Sequence, residues 1–344
     1  MKRRLIIVIL LIGLVFVLTG CYHDITTRTD FVMDTVATIT VYGTKDQTPI
    51  DSSLNIVRSC DSKWNAFDAE SEISKINANA GKSSVIVSDD TYNLIKAALQ
   101  YCESTDGALD ITIGPVVNLW KIEEPETKEP PNADSIQVVK DKVDYHNVRL
   151  NDEDHSVFLT KPGMAINLGA VAKGAAADQV KANLENGKIT RAVINLGGNV
   201  ILIGKKNFVE DFRVQVEDPF NPDEKSIGIL SLKDKSIVTS GDYRRFFTDS
   251  TGKRYHHIFD SKTGCPADND LHQVTIIGEK SFDCDALSTA LFVMGSEKAK
   301  KYAMSHHVSA ILVTKNREIF VSTDLKNCFE TSPAEMNGYH ILYF

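Results

Sequence analysis

The sequence has no surplus of positive charge. Lys and Arg number 38 against 46 Asp and Glu, a formal net charge of −8 over 344 residues. The global field therefore opposes a nucleic-acid backbone or an anionic membrane surface, and no nucleic-acid partner is expected. There is no C-x-x-C pair and no Cys/His spacing of the kind that builds a soft-metal site. Neither a Walker A sequence nor a G-x-G-x-x-G run is present, and no internal repeat or low-complexity tract is visible. With 42% hydrophobic and 24% charged residues the chain is compositionally ordinary, which excludes a disordered tail, a collagen and a coiled coil. Its length suits one large domain or two ordinary ones with a substantial core.

Long apolar runs are also scarce, and the one that stands out is at the start. Lys2, Arg3 and Arg4 precede Leu5 to Leu18, apolar apart from Gly13, and Leu18-Thr19-Gly20-Cys21 follows. A charged n-region, a short h-region and a small-residue site read as an export leader. The four residues ending at Cys21 resemble the bacterial lipoprotein signal, in which the cysteine becomes the new N-terminus and carries lipid; the alternative is an uncleaved anchor. Residues 1–20 are then leader, 21–29 a polar tether, and 30–344 a single exported domain on the extracytoplasmic face of the cell membrane. Five cysteines remain, Cys60, Cys102, Cys265, Cys284 and Cys328. An odd number leaves at least one free thiol; they read as mostly buried structural residues, with a Cys60 to Cys102 bridge conceivable.

Along the chain, ATITVY (37–42) alternates like a half-buried strand, and 51–64 and 88–103 read as amphipathic helices. The acidic, proline-rich EEPETKEPPN (123–132) is a surface excursion or a sub-boundary. Residues 171–184 read as a helix stopped by Gly187, with short strands at 157–159, 164–168, 192–196, 200–204, 212–217, 227–232 and 236–239. Beyond these come a strand at 273–277, helices at 285–294 and 297–305, and strands at 309–313, 318–322 and 340–344. Strands in succession with grouped helices give an α+β fold, with mixed, largely antiparallel sheets and packed helices.

Several runs carry polar groups suited to chemistry. In YHHIFDSKTG (255–264) adjacent histidines on a strand point to opposite faces, so one of His256 and His257 at most faces a site. TSGDYRRFF (239–247) supplies Arg244 and Arg245 nearby, and together the two runs point to a polar pocket. In DCDALSTALFVMG (283–295), Asp285 and Thr289 share a helix face if Asp285 opens the helix. Both are oxygen donors of the type Mg²⁺ takes; the plainer reading makes Asp285 a cap and Thr289 an ordinary buried residue. INLGAVAKGAAADQV (166–180) turns a strand closely into a helix, leaving backbone N–H groups and Lys173 for phosphate oxygens, or simply packing two helices through small residues. LGGN (196–199) reads as a hairpin turn. TDGALDITIGPVVNLW (105–120) and FDAESEISKIN (67–77) place aromatics beside loops, for stacking on a planar ligand or for the core.

Taken in order, SEISKIN, DGALDITIGP, the AKG run, TSGDY, HHIFDSKTG and DALSTALFVMG resemble the bacterial FAD:protein FMN transferases of the ApbE family, from Met33-Asp34-Thr35 to the end of the Asp285 helix. The resemblance implies FAD held by residues matching Met33, Phe67, Ala108, Leu109, Asp110, Asn167, Lys173 and the His257-Ile258 strand. It implies Mg²⁺ on the side chains of Asp285 and Thr289 with a carbonyl near Ala170. It implies FMN transfer to a Thr or Ser hydroxyl of an exported acceptor, in an electron-transfer system at the membrane face. Asp34 stands where the family usually has Gly, Asn167 where it has Asp, Ala170 where Gly is common and Ser261 where Pro is common. Asn167 keeps a carbonyl but loses a charge; Asp34 puts an anion near an anionic dinucleotide unless it points away. His257, then His256, are the candidate bases, because imidazole titrates in the useful range. An FAD pyrophosphatase and a non-catalytic flavin-binding lipoprotein are the competing expectations.

Overall fold

The computed structural model describes residues 24–123, 128–207, 209–222, 224–331 and 338–344. Its frame is a nine-stranded sheet whose spatial order follows the chain: β1 (Ile25–Val32), β2 (Thr35–Tyr42), β3 (Ala192–Leu196), β4 (Asn199–Ile203), β5 (Ser236–Gly241), β6 (Leu271–Gly278), β7 (Ser309–Thr314), β8 (Glu318–Val321) and β9 (His340–Tyr343). All neighbours are antiparallel except β8 and β9. This is the α+β class read from the sequence.

Alternation builds a core on each face. Ile237, Ile277 and Ile311 pack with Phe212, Leu230 and Phe329 of a three-stranded sheet (212–217, 226–232, 329–331). Their neighbours Val238, Ile276 and Leu312 face the other way, against helix residues Leu287 and Leu291. That second face carries α1 (Thr48–Trp64), α2 (Ala172–Asn186) and α3 (Ser281–Met294). Side chains at a period of two thus serve two layers from one strand.

The strand registers explain where the motifs gather. Ala37 pairs with Leu196, Leu196 with Asn199, and Val200 with Ile237. The β1–β2 turn, the β3–β4 turn and the long connection after β5 consequently leave from the same end of the sheet. Met33 and Asp34, at φ 55° and 53°, make the first turn; Gly197 and Gly198, at φ 57° and 95°, make the second. LGGN is therefore the hairpin turn its sequence suggests.

Several expectations change. β1 begins at Ile25 and pairs along its whole length with β2, so residues 25–29 are sheet rather than tether; residues 21–23, with Cys21 and the leader, lie outside the described residues. Thr27 and Thr29, polar enough to read as spacer, form a hydroxyl ladder with Thr40 and Thr38. Residues 164–168 join no sheet beyond a bridge from Ala165 to Ile113. Among the described residues no disulfide forms: these five cysteines are free, and burial pushes Cys60 and Cys102 each up to about 12. Among the described residues no helix is long and apolar enough to cross a membrane.

Candidate active site

α2 and α3 cross so closely that one position is confined to glycine. A Cβ on Gly174 would lie 2.4 Å from the Ser281 carbonyl oxygen and 2.8 Å from the Asp285 Cβ. The contact lets the Gly174 N–H donate to Asp285 Oδ2 at 2.8 Å. Four residues on, the same face of α2 carries Asp178, whose carboxylate accepts from Ser281 N at 2.8 Å and Phe282 N at 2.9 Å. Lys280, the N-cap of α3, provides no side-chain cap, so Asp178 supplies it from the neighbouring helix. Asp285 therefore lies in the second turn of α3 and is not its cap. Gly174→Ala is expected to destabilise the fold by about 1–3 kcal/mol, because the helices must separate; a shift in the urea midpoint at constant slope reads it.

Asp285 is 3% exposed. Burial raises its carboxyl above the ordinary range, opposed by the Lys173 charge, the Gly174 amide and the Asn199 amide. Asn199 stops short of a full hydrogen bond, and its Nδ2 is buried without a partner. A buried carboxylate with one firm donor is incompletely satisfied. Thr289, one turn on, is half-buried, and Ser240 Oγ lies 3.5 Å from its Oγ1 and 2.8 Å from Ser288 Oγ. No cluster of three His, Cys, Asp or Glu side chains is found among the described residues. The set implied for Mg²⁺ is different: the under-satisfied Asp285 carboxylate, the Thr289 hydroxyl one turn on and a carbonyl near Ala170, all hard oxygen donors. The residues present fit a hard divalent cation.

The two histidines separate as the strand alternation requires. His256 is 6% exposed; its Nε2 faces the Ala267 carbonyl at 3.0 Å and its Nδ1 accepts from Ile258 N at 3.3 Å. Both nitrogens are occupied and the ring is buried, which ranks His256 below His257 as a candidate base. His257 directs Nδ1 to the Arg245 carbonyl at 3.2 Å. The carbonyl accepts, which places the proton on Nδ1 and leaves the ring's lone pair on Nε2. Burial, the Arg245 charge and more weakly Lys173 hold this imidazole down at about 3, although one edge still meets solvent. It is neutral near pH 7.

The flavin-binding candidates fall into two groups. Met33, Phe67, Ala108, Asn167, Ala170 and Lys173 keep exposed or half-buried surface, Phe67 most at 68%. Lys173 Nζ rests on the Gly169 carbonyl at 3.3 Å, and Asn167 Oδ1 accepts from Gly169 N at 2.9 Å, so the Asp-to-Asn difference keeps the turn. Leu109 and Ile258 are buried, and the Ile258 backbone is spent on His256 and Ala267. Asp110 is occupied too: Oδ1 accepts from Thr112 N and Oγ1, Oδ2 from Tyr145 N. Its side chain fixes the loop, and the Ala108 and Leu109 N–H groups are themselves tied to Thr105. Asp34 is exposed and points its charge outward. The sequence reading passed over Gly174, Asp178 and Asn199 as individual residues; the spacing of four between Gly174 and Asp178 is the signal that marks one helix face.

Comparison with known proteins comes to the same place. The family model described as the ApbE family matches residues 33–312. A protein named FAD:protein FMN transferase from Klebsiella pneumoniae is 38% identical over 275 residues, 80% of this chain and 84% of its own. One of the same name from Treponema pallidum is 32% identical and covers 79% of each chain. The crystal structure of the ApbE protein from Thermotoga maritima superposes with a TM-score of 0.78 at 30% identity, covering 92% of this chain and 100% of that one. The flavin transferase ApbE from Vibrio cholerae, at 24% identity, shares the fold with a TM-score of 0.78 over 90% of this chain and 97% of its own.

Proposed function

Since the chain belongs to the ApbE family, we propose that it transfers FMN from FAD to a Thr or Ser hydroxyl of an exported acceptor protein and releases AMP. The acceptor oxygen bonds to the FMN-side phosphorus, the bond from that phosphorus to the bridging oxygen breaks so that this oxygen leaves with AMP, and the hydroxyl proton passes to His257 Nε2 or through it to solvent. The observation that carries this reading is the convergence of Asp285, Lys173 and a bare His257 Nε2 at one end of the sheet. Lys173 sets a positive charge where diphosphate oxygens would lie. The Gly174 amide and the crossing of α2 and α3 fix the Asp285 carboxylate before any ligand arrives. Asp285 and Thr289 would hold Mg²⁺ with the carbonyl near Ala170; the ion would supply charge neutralisation and in-line alignment at the phosphorus.

His257 takes the hydroxyl. A base held near pH 3 is a weak proton abstractor, yet phosphoryl transfer through a loose transition state asks chiefly for an oriented nucleophile. Nε2 thus acts first as hydrogen-bond acceptor, and an anion that takes up Lys173 and Arg245 raises the imidazole and its basicity. The proposal includes a lipid on Cys21 and a site on the outer face of the cell membrane, supported by the leader and Leu18-Thr19-Gly20-Cys21. Incubation with FAD, Mg²⁺ and an exported candidate acceptor is expected to leave flavin fluorescence on the denatured acceptor. Free FMN without labelled protein would instead identify a pyrophosphatase.

A further inference from the structure

Three segments that the sheet brings to one end meet at a single side chain, Arg245. Its Nη1 donates to Glu123 Oε1 at 2.9 Å and its Nη2 to the Asp34 carbonyl at 3.2 Å. Its own carbonyl accepts both the backbone N–H and the Nδ1–H of His257, each at 3.2 Å. Arg245 therefore ties the β1–β2 turn, the edge of the acidic loop and the candidate base into one unit.

The ion pair with Glu123 is a surface pair, with side chains 40% and 54% exposed. Such pairs exchange partners easily, because water screens them and both side chains are free to move. The Lys173 charge reaches the same ring more weakly, so two cations act on one imidazole through space. Two positive groups around a neutral ring leave a gap in charge that an anion fills. Lys173 offers a compact point charge; Arg245 offers a planar fork matched to two phosphoryl oxygens.

We propose that Arg245 is a diphosphate-binding residue, which releases Glu123 and, together with Lys173, takes phosphoryl oxygens of the bound dinucleotide. This inference rests on the FMN-transfer reading and deepens it. Glu123 is then a placeholder that competes with substrate for the guanidinium. The Asp34 carbonyl holds one end of the guanidinium in place, while the Asp34 carboxylate is exposed. Because the Arg245 carbonyl also holds His257, capture of the diphosphate and orientation of the base are mechanically linked.

The test compares FAD with riboflavin, which shares the isoalloxazine but has no phosphate, by flavin fluorescence on the full-length protein and its variants. R245Q is expected to lose about ten- to a hundredfold in FAD affinity and nothing for riboflavin. R245K is expected to fall between, since it keeps the charge and loses the fork. E123Q, which does not disturb the Asp34 contact, is expected to bind FAD severalfold more tightly because the competitor is gone. FAD affinity of R245Q within about twofold of the parent, or an equal loss for riboflavin, overturns the inference. Should R245Q fail to fold, unchanged FAD affinity in E123Q overturns it instead. A parent protein that transfers FMN while R245Q binds FAD normally removes this inference alone; a parent that does not bind FAD removes the functional reading with it.

Discussion

Asp285→Asn is expected to lower FMN transfer by about a thousandfold or more, equivalent to about 4 kcal/mol of transition-state stabilisation, while FAD still binds. The substitution keeps shape and an acceptor for the Gly174 N–H but removes the charge that a divalent cation needs. Its effect on stability runs the other way. Burial raises the Asp285 carboxyl above its unfolded value, so ionising it costs the folded state stability as pH climbs above the unfolded carboxylate range. At pH 7 in the absence of metal the amide escapes that cost, and D285N is expected to be no less stable than the parent. Added Mg²⁺ is expected to raise the melting temperature of the parent and leave D285N unmoved. Thermal scans with and without Mg²⁺ check this independently of turnover. Undiminished transfer in D285N would remove the metal from the mechanism.

His257→Asn is expected to lower single-turnover transfer by about a hundredfold or more, with FAD affinity close to the parent. The pH profile gives a sharper reading. With the imidazole held near 3, His257 is already neutral across the physiological range. The acid limb of kcat/KM for the free enzyme is therefore expected to lie well below the ordinary histidine pKa of about 6.5. A half-loss of kcat/KM near pH 6.5 would show that His257 titrates normally and is not enclosed as described. His256→Asn is expected to act differently, costing stability through the lost Ala267 and Ile258 bonds more than turnover of the folded fraction.

Much of this arrangement was legible in the sequence, and the reasons differ by element. Strands such as 192–196 and 212–217 could be read because every second residue is more buried than the ones beside it. β1 was hidden because edge strands carry polar residues, and ITTRTDFV reads as a spacer until its partner is known. The helix of Asp285 began a turn earlier than its sequence suggests, since its cap comes from Asp178 on another helix rather than from a local Ser or Asp. Pattern alone could divide His256 from His257 but not say which faced inward; the Ala267 and Arg245 carbonyls decide that. The Asp285–Thr289 pair was visible as spacing, whereas its confinement by Gly174 depends on a helix crossing that no linear pattern records. Asp110, expected at the ligand, also fixes its own loop through Thr112 and Tyr145, a role that an Asp near a Thr often takes and that no spacing announces.

Transfer to a protein hydroxyl, as opposed to hydrolysis, is the central claim, and the reaction run in ¹⁸O-labelled water addresses it most directly. Mass spectrometry of the products is expected to show one AMP released for each FMN joined to an acceptor Thr or Ser, with no ¹⁸O in the AMP and none in the protein-bound phosphate. Label in free FMN or in AMP would mean that water, not the acceptor oxygen, reaches the phosphorus, and would contradict the account.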